Sequence, residues 1–260
     1  MRVFNFGRNW ESYSRLLDQR RLDQAQEDLG RLLGPLSLAG RSFLDVGCGS
    51  GLSSLAAWGL GARPVLGLDL DPLCVQVSTS NAQRLAPGAG ELSFRPGSAL
   101  DTAGLEALGQ FDVVHSWGVL HHTGQMYRAI DLVRQRVKPG GHLVLAIYNR
   151  HFTSRAWHAI KRHYNRLPQG LRPPVIYFFA GVIALAKLVA TRQNPFRKDR
   201  GMDFMVDVVD WVGGFPYEYA SAQEIVSFLQ KQGGLELVKL VPCDTPIGCN
   251  QMIFRRGGGE

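Results

Sequence analysis

Cysteine is scarce in this 260-residue chain: there are four thiols, Cys48, Cys74, Cys243 and Cys249, and none falls in a C-x-x-C pair. No His/Cys cluster has zinc-ligand spacing, so no metal is expected, and reduced thiols of a cytoplasmic protein are the natural reading. The stretch Met1-Arg2-Val3-Phe4-Asn5-Phe6-Gly7 lacks the apolar core of a signal peptide, which argues against secretion. Internal repeats are absent, and the one low-complexity tract is Gly257-Gly258-Gly259, so a solenoid is excluded. Acid is nearly missing between Arg150 and Arg200, where eleven Lys/Arg face only Asp199. That segment carries +10 and the rest of the chain −3, which together give the net +7. Such a concentrated charge fits anionic lipid, nucleic acid, an acidic substrate or a plain solvated face.

Apolar residues make up 45% of the chain, enough to exclude a disordered polypeptide. From Glu11 to Leu33 they recur at helical spacing (Leu16, Leu17, Leu22, Ala25, Leu29, Leu32, Leu33), and Gly34-Pro35 ends that helix. Ser42–Val46 reads as a buried strand and 52–60 as a helix. Pro64–Leu70 is the next strand, followed by a helix capped by Asp71 with Pro72 in its first turn. Strands at 92–95, 111–116 and 142–148 alternate with a helix over 126–137. A helix at 222–232 and strands at 235–241 and 251–254 close the pattern. The alternation predicts an α/β, Rossmann-like, mostly parallel seven-stranded sheet with helices on both faces, the last strand pair at least partly antiparallel. Residues 1–40 read as a helical cap, 41–148 as the core, 149–219 as a helical, basic insertion lying over the site, and 220–256 as the core's last helix and strands.

The run Leu44-Asp45-Val46-Gly47-Cys48-Gly49-Ser50-Gly51 takes a strand into closely spaced glycines, a turn that lets a ligand touch the main chain. Its spacing is not the G-x-G-x-x-G of dinucleotide binders, and it lacks the Gly-Lys-Ser/Thr of a P-loop, so a ligand without phosphates is favoured. Asp69 lies eighteen residues beyond Gly51, at the next strand's tip, where a carboxylate accepts hydrogen bonds from ribose hydroxyls.

These features, with Phe111-Asp112-Val113-Val114-His115-Ser116-Trp117, Val119-Leu120-His121-His122 and Lys138-Pro139-Gly140-Gly141, resemble class I S-adenosylmethionine (SAM)-dependent methyltransferases over about Phe43 to Tyr148. The chain looks most like the ubiquinone-biosynthesis O-methyltransferase group and its uncharacterised relatives. The resemblance implies SAM as cofactor and S-adenosylhomocysteine (SAH) as product. It also implies that Asp45, Gly47 and Gly49, with Cys48 between them, hold the methionine part. Asp69 would take the ribose, Leu70 the adenine face, Ser98 and Ala99 the adenine edge, and Ser116 and Trp117 the surroundings of the sulfonium. His121, and behind it His122, are the candidate bases. Acceptor contacts are expected from Trp10 and Tyr13 in an N-terminal flap, from Tyr148, and from Tyr217 and Glu218 in the block Trp211–Tyr219.

Val175–Ala186 is nearly all apolar, interrupted by Lys187 and flanked by Arg172, Arg192, Arg197, Lys198 and Arg200. It is short for a span, and it fits a buried lid helix or, across 172–200, contact with a membrane surface. Arg155, Lys161, Arg162 and Arg166, among Trp157, His158, His163 and Tyr164, are the residues that would grip RNA. The leading expectation is methyl transfer to oxygen or nitrogen of a small-molecule acceptor, a lipophilic or quinone-like one if 172–200 meets a membrane. RNA methylation and a silent SAM-fold binding module remain the alternatives.

Overall fold

Four residues with both faces covered, Phe43–Val46, form strand β1 at the centre of the sheet. The computed structural model describes residues 4, 6–192, 194, 202–243 and 245–258. Around β1 lie β2 (Val65–Asp69), β3 (Leu92–Pro96), β4 (Phe111–Trp117), β5 (Val137–Tyr148), β6 (Leu235–Val241) and β7 (Cys249–Arg256). The strand order is β3-β2-β1-β4-β5-β7-β6. The first five strands are parallel, and β7 runs antiparallel between β5 and β6, as the alternation predicts.

One sheet face buries Leu44, Val46, Val114, Leu143, Leu145 and Phe254 against helices α5 (Thr102–Ala107), α6 (Met126–Arg134) and α10 (Ala222–Lys231). The other face packs Phe43, Val65, Val113, Val144 and Ile253 against α2 (Gln19–Leu33), α3 (Leu52–Gly59) and α4 (Pro72–Leu85). Side-chain alternation along each strand separates the two sets.

The single helix expected over Glu11–Leu33 is two. α1 (Phe6–Ser14) ends, the chain extends at Asp18 (φ −130°), and the Asp18 carboxylate accepts the Arg21 N–H to start α2. The cap is a stronger local signal than the apolar spacing that runs through it. A second correction concerns 126–137: α6 stops at Arg134, and Val137 already begins β5. Gly140 (φ +75°) and Gly141 let β5 bend. A Cβ at Gly141 would lie 2.8 Å from the Asp112 carbonyl oxygen, so only glycine fits there.

The Lys138 amine bonds the Asp112 carboxylate at 2.9 Å and the Ser42 hydroxyl at 3.2 Å. Ser42 gives both its N–H and its hydroxyl to the same carboxylate, at 2.9 and 2.5 Å. The Asp112 and Lys-Pro-Gly-Gly motifs therefore fasten the starts of β4 and β5, at the sheet end opposite the glycine turn.

Between β5 and α10 lie α7 (Ser154–Tyr164), α8 (Arg172–Thr191) and α9 (Phe204–Gly213). They form their own apolar cluster with Tyr148, Trp211, Phe215 and Tyr217.

Candidate functional site

Parallel register sets Asp45 of β1 beside His115 of β4, and His115 beside Val144 of β5. Because partners in register share a face, Asp45 and His115 meet on the α2–α3 side. The His115 Nδ1 lies 2.8 Å from one Asp45 oxygen, and Ser54 donates to the other at 2.7 Å. Two residues on, Trp117, Ala146 and Gln251 form the next row, and Tyr148 with Cys249 the one after. The Trp117 ring stacks on His115 at 5.7 Å between centroids.

These rows floor a cleft of ≈480 Å³, also walled by Trp10, Gly47, Cys48, Ile183, Asp210 and Trp211. Its roof is α1. The Trp10 ring covers Gly49, where a Cβ would sit 2.8 Å from it, and Val119 abuts Gly47. Asn9 donates to the Asp210 carboxylate at 2.7 Å and to the Val206 carbonyl at 3.2 Å. Ser14 donates to Asn81 of α4, and Asn81 donates to the Ser50 carbonyl in the glycine turn at 2.9 Å. Gly47, Gly49 and Gly51 all hold positive φ (80°, 54° and 78°). Gly51 opens α3, so the turn ends in helix-terminal N–H groups suited to a carboxylate such as that of an amino acid.

At the nucleoside end, the Asp69 carboxylate accepts N–H groups of Gly49 and Asp71, each at 2.9 Å. The Cys74 thiol bonds it as well, and a carboxylate's four lone-pair positions still leave room for a hydroxyl donor. Burial raises this carboxyl above its ordinary range, against the lowering effect of those N–H groups. Leu70 beside it is an exposed apolar side chain, and Ser98 follows β3 alongside the same tip.

A family model described as a methyltransferase domain matches residues 17–181. The chain belongs to this methyltransferase family. Its cofactor is SAM, and the glycine turn, the α3 terminus and Asp69 fit that molecule's amino-acid and ribose ends. The chain is 39% identical over 108 residues to a tRNA U34 carboxymethyltransferase of Shewanella pealeana, covering 42% of this chain and 32% of that protein. It is 34% identical over 109 residues to a ribosomal protein L11 methyltransferase of Photobacterium profundum, covering 42% and 34%. The chain thus spans about a third of the length of these curated relatives. Among solved structures, magnesium protoporphyrin IX methyltransferase from Synechocystis PCC 6803 with bound SAH shares the fold. Its TM-score is 0.56 at 15% identity, over 91% of this chain and 83% of that one.

Of the residues expected to serve the methyltransferase site, Trp10, Asp45, Gly47, Cys48, Trp117 and Tyr148 wall the cleft, and Gly49 and Asp69 adjoin it. Several others do not, and each has a physical reason. Tyr13 is wholly buried, edge-on to Trp10, as core. Ala99 belongs to the opposite core, and the Ser98 hydroxyl accepts the Leu100 N–H. Ser116 points to the other sheet face and gives its hydroxyl to the Val46 carbonyl at 2.9 Å. His121 is fully buried behind Tyr148, stacked on it at 3.7 Å, and its Nδ1 accepts the Tyr148 N–H. Burial holds His121 well below its usual range, and it pushes His122, bonded to the Pro216 carbonyl at 2.5 Å, down to about 3. Neither histidine walls the cleft. Tyr217 packs in the α7–α9 cluster, and burial pushes its phenol up to about 12. Glu218 accepts the Met126 N–H at 3.1 Å and so caps α6 instead of facing an acceptor.

The structure adds residues that sequence reasoning gave no role, His115, Asp210, Gln251, Asn9 and Asn81, and it moves Lys161. Lys161, expected on an RNA-facing surface, is fully buried. Its amine donates to the Trp211 carbonyl and lies 4.3 to 5.4 Å from the rings of Trp211, Tyr217 and Tyr148. Burial drives that amine down to about 7, and burial likewise raises the Asp210 carboxyl to about 7. For His115, the available signal was its two-residue alternation with Trp117 next to Asp45.

Proposed function

We propose that this protein transfers the methyl group of SAM to an oxygen or nitrogen of a small, largely apolar acceptor, and that Asp210 takes the proton released. The observation carrying this is the cleft wall. Aromatic and aliphatic side chains (Trp10, Trp117, Tyr148, Ile183, Trp211) dominate it, and Asp210 sets a carboxylate among them. SAM supplies an electrophilic methyl on a positive sulfur. The chain must then hold the acceptor in line, exclude water and remove a proton.

A carboxylate titrating near 7 is matched to that task, whereas burial makes His121 and His122 poor proton acceptors and both are turned into the fold. Asn9 orients Asp210, and the roof helix that carries Asn9 keeps water out. The similarity to a tRNA enzyme supports a nucleic-acid acceptor less well, because it covers 42% of this chain and Lys161 is withdrawn from the basic face.

The test is transfer of tritium from methyl-labelled SAM to a panel of lipophilic phenols, quinols and amines, with bulk tRNA in parallel. Label in the small molecules, slowed on the order of a hundredfold by Asp210→Asn, is expected. Label in the tRNA alone would refute the reading.

A further inference from the structure

Helix α8 is apolar around most of its circumference, Lys187 apart, yet among the described residues only one side is covered. Ile176 and Ala180 are buried, and Val175, Phe179, Ile183 and Ala184 pack with them on the α7–α9 cluster. The opposite stripe carries Phe178, Val182, Leu185 and Val189 at helical spacing, with Tyr177 and Leu188 beside it. Tyr177 is 69% exposed, Leu185 63% and Val189 72%, values at which polar side chains are the rule on a water-facing helix. The helix is also long and apolar enough to cross a bilayer. Its inner stripe is committed to the protein, however, and a crossing helix would have to strip that cluster bare. Lying flat in an interface satisfies both stripes.

The charge around it selects the occupant. From Arg150 to Arg192 there are eight Lys/Arg and no Asp or Glu. Arg155, Arg162, Arg166 and Arg192 are exposed. An apolar stripe with exposed arginines before it in the chain and one at its end, in a segment free of acid from Arg150 to Arg192, complements a bilayer bearing anionic headgroups.

We infer that the outer stripe of α8 docks this protein on an anionic membrane surface. Ile183, on the inner stripe of the same helix, walls the cleft. A docked α8 therefore sets the acceptor pocket one helix diameter from the lipid, so that a lipid-soluble acceptor enters from the bilayer. This second part rests on the methyl-transfer reading above; the docking does not.

The test is flotation of the full chain with vesicles of phosphatidylcholine alone and of phosphatidylcholine mixed with phosphatidylglycerol, alongside SAH calorimetry. Wild type should float with the mixed vesicles, on the order of tenfold more than with the neutral ones, and high salt should weaken this. Phe178→Asp combined with Leu185→Asp should abolish flotation while leaving SAH affinity unchanged, since both side chains are exposed and outside the cleft. If SAH binding fails in wild type while flotation persists, the docking stands and the catalytic reading falls. Wild type staying in solution with both vesicles would overturn the docking. So would a dimer, by analytical ultracentrifugation, that the same double substitution splits without any lipid binding.

Discussion

Of three carboxylates in the fold, Asp69 and Asp210 are raised by burial and Asp112 is lowered. Burial works against Asp112, but hydrogen bonds from Ser42 and Lys138 outweigh it and hold its carboxyl down at about 2. Its folded-state value thus lies below its unfolded one, so its stabilisation is full above the unfolded value and is lost as pH falls through the folded one. Asp112→Asn is expected to cost about 1–2 kcal/mol at pH 7, with the gap to wild type closing below about pH 4 in thermal melts. Asp210 is raised, so it is protonated below about 7, and a base must be deprotonated to act. The rate of methyl transfer should therefore climb with pH through about 7 in wild type, and this limb should vanish in Asp210→Asn. An unchanged limb in that variant would assign it to another group. Asp69→Ala should weaken SAH binding at least tenfold by calorimetry, because it removes both the ribose acceptor and the partner of the Gly49 N–H. The tips of β1 and β2 were legible in the sequence because glycine spacing and an acid at a strand end have few other uses. His121 was misread because adjacency to the motif says nothing of which way a side chain turns, and here the Tyr148 N–H fixes it inward.

At the scale of elements, α1 is the part least visible in the sequence. Its nine residues hold no long apolar stripe, and Tyr13 with Trp10 gives it a footing only once α4 and the glycine turn are in place. The aromatics marked this segment as a flap in the sequence; its tethers, Asn9 to α9 and Ser14 to Asn81, join residues about 200 and 67 positions apart, beyond any local pattern. Since Trp10 lies on Gly49, α1 must shift for SAM to enter and return to cover it. Asn9→Ala should accelerate SAH release several-fold in stopped-flow displacement while leaving the association rate nearly unchanged. Equal release rates would mean the roof moves independently of α9. The central strands β1, β2 and β4 were readable to within a residue, because burial on both faces demands continuous apolar runs, whereas β5 begins five residues before its apolar run, at Val137.

For the whole molecule, ligand and fold are linked. SAH at about 100 times its dissociation constant adds about 2.7 kcal/mol, which for a chain of this size raises the melting temperature by about 5 °C. Calorimetric scans with and without SAH check this, and no rise would remove the cofactor from the reading. The mostly parallel sheet with its antiparallel final pair followed from element order. The position of the three-helix insertion over the site depended on contacts that only the folded chain brings together.

Those contacts include one with a consequence for how such proteins diversify. Asn149, where the insertion leaves β5, forms an isolated parallel bridge to Ala220, where it returns. Ala220 donates to the Tyr148 carbonyl, and Asn250 of β7 bonds both ends. Exit and re-entry therefore share one fastening, like the socket of an exchangeable tool. A cassette of other length or composition can be grafted there without changing the strand order, so recognition of new acceptors can evolve while the donor half is inherited intact.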